Sequence, residues 1–348
     1  MRMLRMKALY FLYTAMMCMS VLGYSIRESN AAASDGTIII STTTSFTTMN
    51  PYGDSSAPSN TLWCQVYGCL GVYDYKEKKY KGLLVDRWEL INETTWRFYL
   101  KRNLVRQDGG PSVTSADVIR SFERINSDPA SAQQFYVSPI AKIVAVDDYT
   151  FDMVTKAPFA PLLNTAFDRF IITSDELYKK YGTQADSKAP FGWGPYKLDK
   201  YVIDQEVSVS QNPRWPDFDP KAPKAAVYRI MREPDQRVTA LLNDEVQVAV
   251  LVPPQLIPRL KDRPEAKIIE APALEIMFLA LNPGQKPWSS PLVRQAASLA
   301  IDRKLIIDRL LGGLADPLDG LVALHLTPRI GPQQFQRDSG APNLRIST

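Results

Sequence analysis

A single histidine, His325, serves all 348 residues, and that count removes most catalytic vocabulary before any element is placed. A Ser-His-Asp or Cys-His relay and an HExxH zinc helix each need an imidazole in register with their other members, and the chain up to His325 supplies none. No GxGxxG or GxxxxGK[ST] loop occurs, so nucleotide phosphates have no glycine-rich cradle. Asp147 and Asp148 are of the right type for acid–base work, but two neighbouring carboxylates between apolar runs read as a solvated turn. What remains is the chemistry of contact. Arg169 interrupts the apolar run from Leu162 to Ile172, where a cation meets a carboxylate, either of a ligand or of the protein itself. Trp193 stands between Gly192 and Gly194, its ring a stacking surface for a solute or a piece of core, and Trp63 carries the same two readings.

Three cysteines set the redox chemistry. Cys18 falls in an apolar N-terminal run, and Ala15-Met16-Met17 before it makes a poor lipidation site. Cys64 and Cys69 could pair in an oxidising compartment. Leu62, Val66 and Leu70 suggest one helix through both, however, and five residues on a helix diverge by about 140°. Two buried thiols are therefore expected.

Arg2, Arg5 and Lys7 precede the apolar run Ala8–Ile26, and Ala31-Ala32-Ala33 follows it, which is the order of a signal peptide over residues 1–33. The run is long, so an uncleaved anchor is the alternative. Residues 1–33 carry four basic side chains (Arg2, Arg5, Lys7, Arg27) and one acidic (Glu28), so their removal takes the net charge from +4 to +1. That balance offers no broad basic field for nucleic acid or anionic lipid. The remainder is long enough for about two domains at the usual ~150 residues each.

The elements that must position these side chains are legible in outline. Thr37–Ile40 is an apolar β-type run that leads into a Ser/Thr-rich stretch ending at Asn50-Pro51. Trp96, Phe98 and Leu100 alternate with polar neighbours as in a half-buried strand. Asp108-Gly109-Gly110-Pro111 makes a turn. Thr114 with Asp117 is a capping-box-like start for a helix whose apolar residues are Val118, Phe122 and Ile125. Asp147-Asp148 opens a strand with Phe151 and Met153 on one face, Val207 and Val209 mark another, and Val246, Val248 and Val250 a third. Arg237–Leu242 is helical. Ser290 and Pro291 begin a helix with an inner stripe of Val293, Ala296, Ala297 and Ala300. Asp302 caps the next, whose Leu305, Ile306, Leu310 and Leu311 face a core before Gly312 ends it. Interleaved strands and helices make the fold α/β.

Two blocks carry a resemblance. Phe278–Gly313 reads FLALNPGQKPWSSPLVRQAASLAIDRKLIIDRLLGG, and Val105–Ile125 reads VRQDGGPSVTSADVIRSFERI. They resemble the family 5 extracytoplasmic solute-binding proteins of peptide and nickel ABC importers, with Gln107 where that family usually has His. Phe191-Gly192-Trp193-Gly194-Pro195-Tyr196 is similar to its G-T-G-P-Y step, Trp193 replacing Thr. Asn212-Pro213-Arg214-Trp215 resembles N-P-x-Y/W, and the segment from Arg237 resembles R-x-x-A-L-x-x-G-E-x-D with Asp244 at the Gly position. The likeness runs from about Thr37 to about Asp319.

The resemblance implies a two-lobed periplasmic-binding-protein-like α/β fold of type II, cluster C. Residues 35–62 and 186–252 would form lobe I, 63–185 an inserted subdomain, and 253–320 the start of a truncated lobe II, with 321–348 an unmatched tail. It implies a monomeric, periplasmic binding protein that is no enzyme and needs no cofactor or metal. Such a protein captures a peptide or similar small polar solute between its lobes and hands it to the transmembrane subunits of an ABC permease. A nickel or metal-chelate ligand is the alternative within the family; a secreted hydrolase and a non-functional truncated product lie outside it. Thr44, Ser45 and Phe46 follow the first strand where family members contact ligand, and extended backbone there can pair with a peptide. Trp63 follows the first lobe crossing, and Trp193 lies in the segment joining the lobes.

Overall fold

A computed structural model describes residues 36–43, 46–74, 77–261, 263, 266–269 and 277–317. The targeting segment, Cys18 and His325 lie outside the described residues. In chain order the strands are β1 (Thr37–Thr42), β2 (Gly71–Asp74), β3 (Lys79–Gly82), β4 (Val85–Asn92), β5 (Thr95–Leu100), β6 (Ile140–Asp147), β7 (Thr150–Thr155), β8 (Tyr196–Val202), β9 (Glu206–Gln211), β10 (Ala225–Ile230) and β11 (Val248–Ala249). The helices used below are α1 (Ala57–Val66), α2 (Ser115–Ser127), α3 (Pro234–Leu242), α4 (Pro291–Ala300) and α5 (Arg303–Arg309). The chain divides into two compact units, up to Val250 and from Leu251 onward. Among the described residues no helix is long and apolar enough to cross a membrane.

The first unit holds a five-stranded sheet in the order β11-β1-β10-β9-β8. The apolar run at Thr37–Ile40 becomes β1, buried because it lies inside the sheet: it runs parallel to β10 on one side (Thr37 opposite Ala225) and to β11 on the other (Ile40 opposite Val248). β9 pairs antiparallel with β10 and β8. Helix α3 carries the chain from β10 to β11, with Val238 and Ala240 buried. The strand expected over Val246–Val250 shortens to Val248–Ala249, because Val246 turns its side chain into a small cluster with Ile39 and Ala240.

A second, antiparallel sheet has the order β4-β5-β7-β6. The alternation on β5 delivers what it implies: Phe98 is fully buried and stacks on Phe151 of β7 at 5.3 Å between ring centroids. Asp147 does not open a strand. It closes β6, and β7 begins at Thr150 after the turn. β6 escaped the sequence reading because it is an edge strand: six of its eight residues are exposed and no apolar alternation marks it. Helix α2 starts as its capping residues require, the Thr114 amide donating to Asp117 Oδ2 at 2.8 Å, and buries Val118 and Ile125.

One expectation reverses. Helix α1 ends at Val66, and Gly68 (φ 103°) turns the chain into a conformation that L side chains rarely adopt, so Cys69 leaves the helix and bridges Ile171. The two cysteines are therefore not held apart by a shared helix, and instead of two buried thiols they form a disulfide with Cα atoms 5.0 Å apart.

In the second unit, Pro291 stands at the start of α4, and Asp302 caps α5 by accepting from the Leu305 amide at 2.9 Å. Their apolar stripes do not become core: neither helix buries a residue.

Candidate functional site

Parallel strands whose carboxyl ends lie side by side leave a crevice beyond those ends, where ligands of open α/β sheets gather. Here β1, β10 and β11 supply those ends. Arg237, 1% exposed, ties the ends of β10 and β11 together: its Nη1 donates to the carbonyls of Met231 and Arg232, both at 2.8 Å, and its Nε to that of Val250 at 3.1 Å. Burial pulls its guanidinium below the usual arginine range. Its charge is thus consumed in holding backbone.

Thr44 and Ser45, which follow β1 in the sequence, are outside the described residues. Phe46, next to them, is 1% exposed; its ring meets Tyr228 edge-on at 5.6 Å and its carbonyl accepts from the Tyr201 hydroxyl at 2.6 Å. Trp63 is equally buried, tilted against Tyr67 and Tyr201 at 5.7 and 6.3 Å between centroids, and its Nε1 has no partner among the described residues.

Trp193 is part of a clasp. Its Nε1 donates to the Pro111 carbonyl at 2.9 Å and its amide to the Tyr67 carbonyl at 2.8 Å. The flanking glycines make this approach possible: a Cβ on Gly192 would stand 2.2 Å from Tyr67 Cα, and one on Gly194 would stand 2.1 Å from the Gln65 carbonyl oxygen. Gln107 closes the clasp from the other side, donating to the carbonyls of Val66 at 2.7 Å and Tyr196 at 2.8 Å. The two motifs that bracket this region in the sequence therefore meet at the carboxyl end of α1.

Arg169 is differently placed. It lies on the segment after the short helix Leu162–Ala166, which is stitched to the start of β2: the Gly71 amide donates to Phe167 at 3.0 Å and the Ile172 amide to Gly68 at 2.9 Å. A pocket of about 260 Å³ opens there, walled by one face of α1 (Ala57, Thr61, Cys64, Gln65), by Val72 and Tyr73 of β2, and by Asp168 and Arg169. The helical spacing of 57, 61 and 65 puts those residues on a single face. Arg169 is half-buried yet loosely held: Nη1 is 3.4 Å from the Ser55 carbonyl, Nε is 3.8 Å from Asp168, and the guanidinium sits 5.3 Å from the centre of the Tyr136 ring. Burial pushes the Asp168 carboxyl above the usual carboxylate range, with Arg169 opposing. The Gln65 amide has no partner among the described residues. A half-buried guanidinium with spare donors beside a free amide is equipped to accept an anionic, planar group such as a carboxylate.

A larger hollow of about 410 Å³ lies against β4 and β5, but it holds none of the candidate residues and its cations are engaged with rings, Arg87 3.4 Å over Tyr99 and Lys101 5.8 Å over Trp215. Asp168, Thr61, Gln65 and Tyr136 had no signal in sequence beyond the α1 face. They are joined by a turn and a disulfide, neither of which periodicity reveals.

The structure is similar to solved periplasmic binding proteins. A dipeptide-binding protein from Pseudoalteromonas sp. SM9913, in complex with Met-Leu, has a TM-score of 0.71 at 22% identity, covering 80% of this chain and 59% of that one. The Escherichia coli murein tripeptide binding protein MppA has a TM-score of 0.73 at 19% identity, with 87% and 64% covered. These neighbours establish the fold, the α/β fold of two-lobed periplasmic binding proteins. In sequence, the glutathione-binding protein GsiB of Escherichia coli K12 is 28% identical over 291 residues, 82% of this chain and 56% of the relative, and that of Shigella flexneri is 27% identical. The chain thus spans little more than half the length of these curated relatives. The model of the bacterial extracellular solute-binding proteins, family 5, matches residues 79–337, past residue 319 where the motifs fade, and the chain belongs to that family.

Proposed function

We propose that this protein is the solute-binding component of an ABC importer, capturing a peptide or similar small polar solute that bears a carboxylate and presenting it to a membrane permease from the periplasmic side. The observation that carries this reading is the loosely held, half-buried guanidinium of Arg169 at the pocket against α1. Relatives named for glutathione, a bound Met-Leu dipeptide and a murein tripeptide support the solute class, since peptides of this kind end in a carboxylate. The β1 exit at Thr44 and Ser45 would supply extended backbone for strand-like pairing with the solute. Phe46, Trp63 and Trp193 would act on the solute only through the frame they build. Binding without turnover is the expectation, as a monomer and without a cofactor. Closure around solute would follow from preferential binding to the form that touches it on both sides.

Calorimetry with glutathione, Met-Leu and tri- to pentapeptides tests this, each peptide run with a free and with an amidated carboxyl end. Saturable binding that prefers the free carboxylate, with the peptide recovered intact, is expected. Arg169→Gln should cost about 1.5–3 kcal/mol of that preference, the worth of a charge-assisted hydrogen bond. Hydrolysed peptide would favour a secreted hydrolase, and equal affinity for both end groups would remove Arg169 from the site.

A further inference from the structure

The disulfide and the arginine belong to one mechanical circuit. Cys64 lines the pocket from α1. Its partner Cys69 pairs through its backbone with Ile171, two residues beyond Arg169. On either side of that bridge, Ile172 donates to Gly68 at 2.9 Å and Gly71 donates to Phe167 at 3.0 Å, so residues 68–71 and 167–172 move as one piece. The disulfide adds a cross-link between that piece and Cys64 on the pocket-lining face of α1, beside the chain itself, which runs from Val66 through Tyr67 to Gly68. Tyr52, whose hydroxyl donates to the Ile171 carbonyl at 3.1 Å, holds the same segment from a residue that precedes α1.

We infer that the Cys64–Cys69 disulfide is the positioning element for Arg169, so that the pocket's preference for a carboxylate depends on the bond being closed. The inference rests on the proposed solute-binding function and deepens it. The bond opens by thiol–disulfide exchange with a dithiol. One reductant thiolate attacks the sulfur of Cys64, the residue of the pair that lines the pocket, and Cys69 leaves as a thiolate that takes up a proton. The second reductant thiol then displaces Cys64 as its thiol, and the reductant departs as a cyclic disulfide. Two electrons and two protons pass to the protein. Cys64 and Cys69 are 3% and 0% exposed, and Cys64 is the one of the two that lines the pocket, which is therefore the approach the attack would take. A solute that shifts the reduction equilibrium toward the closed bond must, by linkage, bind less well once the bond is open.

The test uses the full chain, oxidised, reduced with dithiothreitol, and as the C64S/C69S variant, with hydrogen exchange read by mass spectrometry and binding by calorimetry. On reduction, exchange in peptides covering residues 67–74 and 166–173 should quicken at least tenfold while β5 and β7 hold their protection. Affinity for Met-Leu and glutathione analogues S-methylated at the thiol should fall about tenfold, their amidated counterparts should be unaffected, and reoxidation should restore the original values. Unchanged exchange at 166–173 overturns the inference, as does equal weakening of free and amidated peptides, which is what a purely structural bond would give. If no peptide binds the oxidised protein, the solute-binding reading fails by itself, and the exchange data still decide whether the bond positions Arg169.

Discussion

The side-chain amide of Gln107 donates to the carbonyl of Val66 at 2.7 Å, fastening the turn before α2 to the last residue of α1. A second bond from the same nitrogen reaches Tyr196 at 2.8 Å, and the Gln107 amide and carboxamide oxygen both face Gly192. Gln107→Ala removes both bonds, leaving the Val66 carbonyl only the longer bond from the Gly194 amide at 3.2 Å, and should lower stability by about 1–3 kcal/mol in urea unfolding. Gln107→His should fall between, because a neutral imidazole has one N–H for two acceptors. Equal stability of all three proteins would show that the carbonyls find other partners.

The neighbouring clasp gives a sharper contrast. Trp193→Phe keeps a buried ring but loses the bond to the Pro111 carbonyl, so about 1 kcal/mol is expected, whereas Trp193→Ala opens a cavity and should cost about 3–5 kcal/mol. Gly194→Ala drives a methyl to 2.1 Å from backbone that cannot give way, and soluble folded protein should be lost. Thermal melts of the two Trp193 variants with equal midpoints would contradict the buried placement of the ring.

These examples show what could be read in the chain. The capping box at Thr114 and Asp117, the alternation on β5 and the Asp302 cap are local signals, set by neighbours within a turn or by a period of two, and each is where it was expected. The disulfide, the edge strand β6 and the pocket are long-range. Cys69 meets Cys64 because Gly68 breaks the helix, and Arg169 faces α1 because Ile171 pairs with Cys69, one hundred and two residues earlier. Arg169 itself stood out as a charge within an apolar run. Its partners did not, since Gln65 and Asp168 are of ordinary type at ordinary spacing.

Carboxylates pull stability in opposite directions with pH. Burial raises Asp186 above its usual range even though Arg124 donates to it at 2.8 Å. A carboxyl with a folded pKa above its unfolded one binds a proton more readily when folded, so it adds stability as pH falls through that interval and withdraws it as pH rises. Asp108 and Asp175 are held below their usual range despite burial, the first by Arg106 and the Gly110 amide, the second by Lys179 and Arg120. Their contribution is complete above the ordinary aspartate range and is lost as pH drops beneath it. Urea melts between pH 3 and pH 7 should therefore show the deficit of Asp108→Asn shrinking toward acid pH, while the deficit of Asp186→Asn grows as pH falls from neutrality. Parallel pH profiles for the two variants would contradict both assignments.

Leu292 and Leu299, seven residues apart on one face of α4, stand 67% and 75% exposed, and Leu305 on α5 and Leu310 just past its end stand 54% and 58% exposed. Each forgoes about 1.5–3 kcal/mol that full burial would supply, a large amount beside a domain's ~5–15 kcal/mol margin. Apolar area gathered on two adjacent helices behaves as an adhesive patch. The full chain should accordingly enhance the fluorescence of an apolar dye such as ANS under native conditions, and Leu299→Lys with Leu305→Lys should remove most of that signal. The first unit has its own core, in which Phe98, Phe151, Trp63 and Trp193 are buried, so the same double variant should leave its melting midpoint unchanged. Dye binding that survives the double variant would place the sticky surface elsewhere, and a fall in that midpoint would mean that the first unit depends on these leucines.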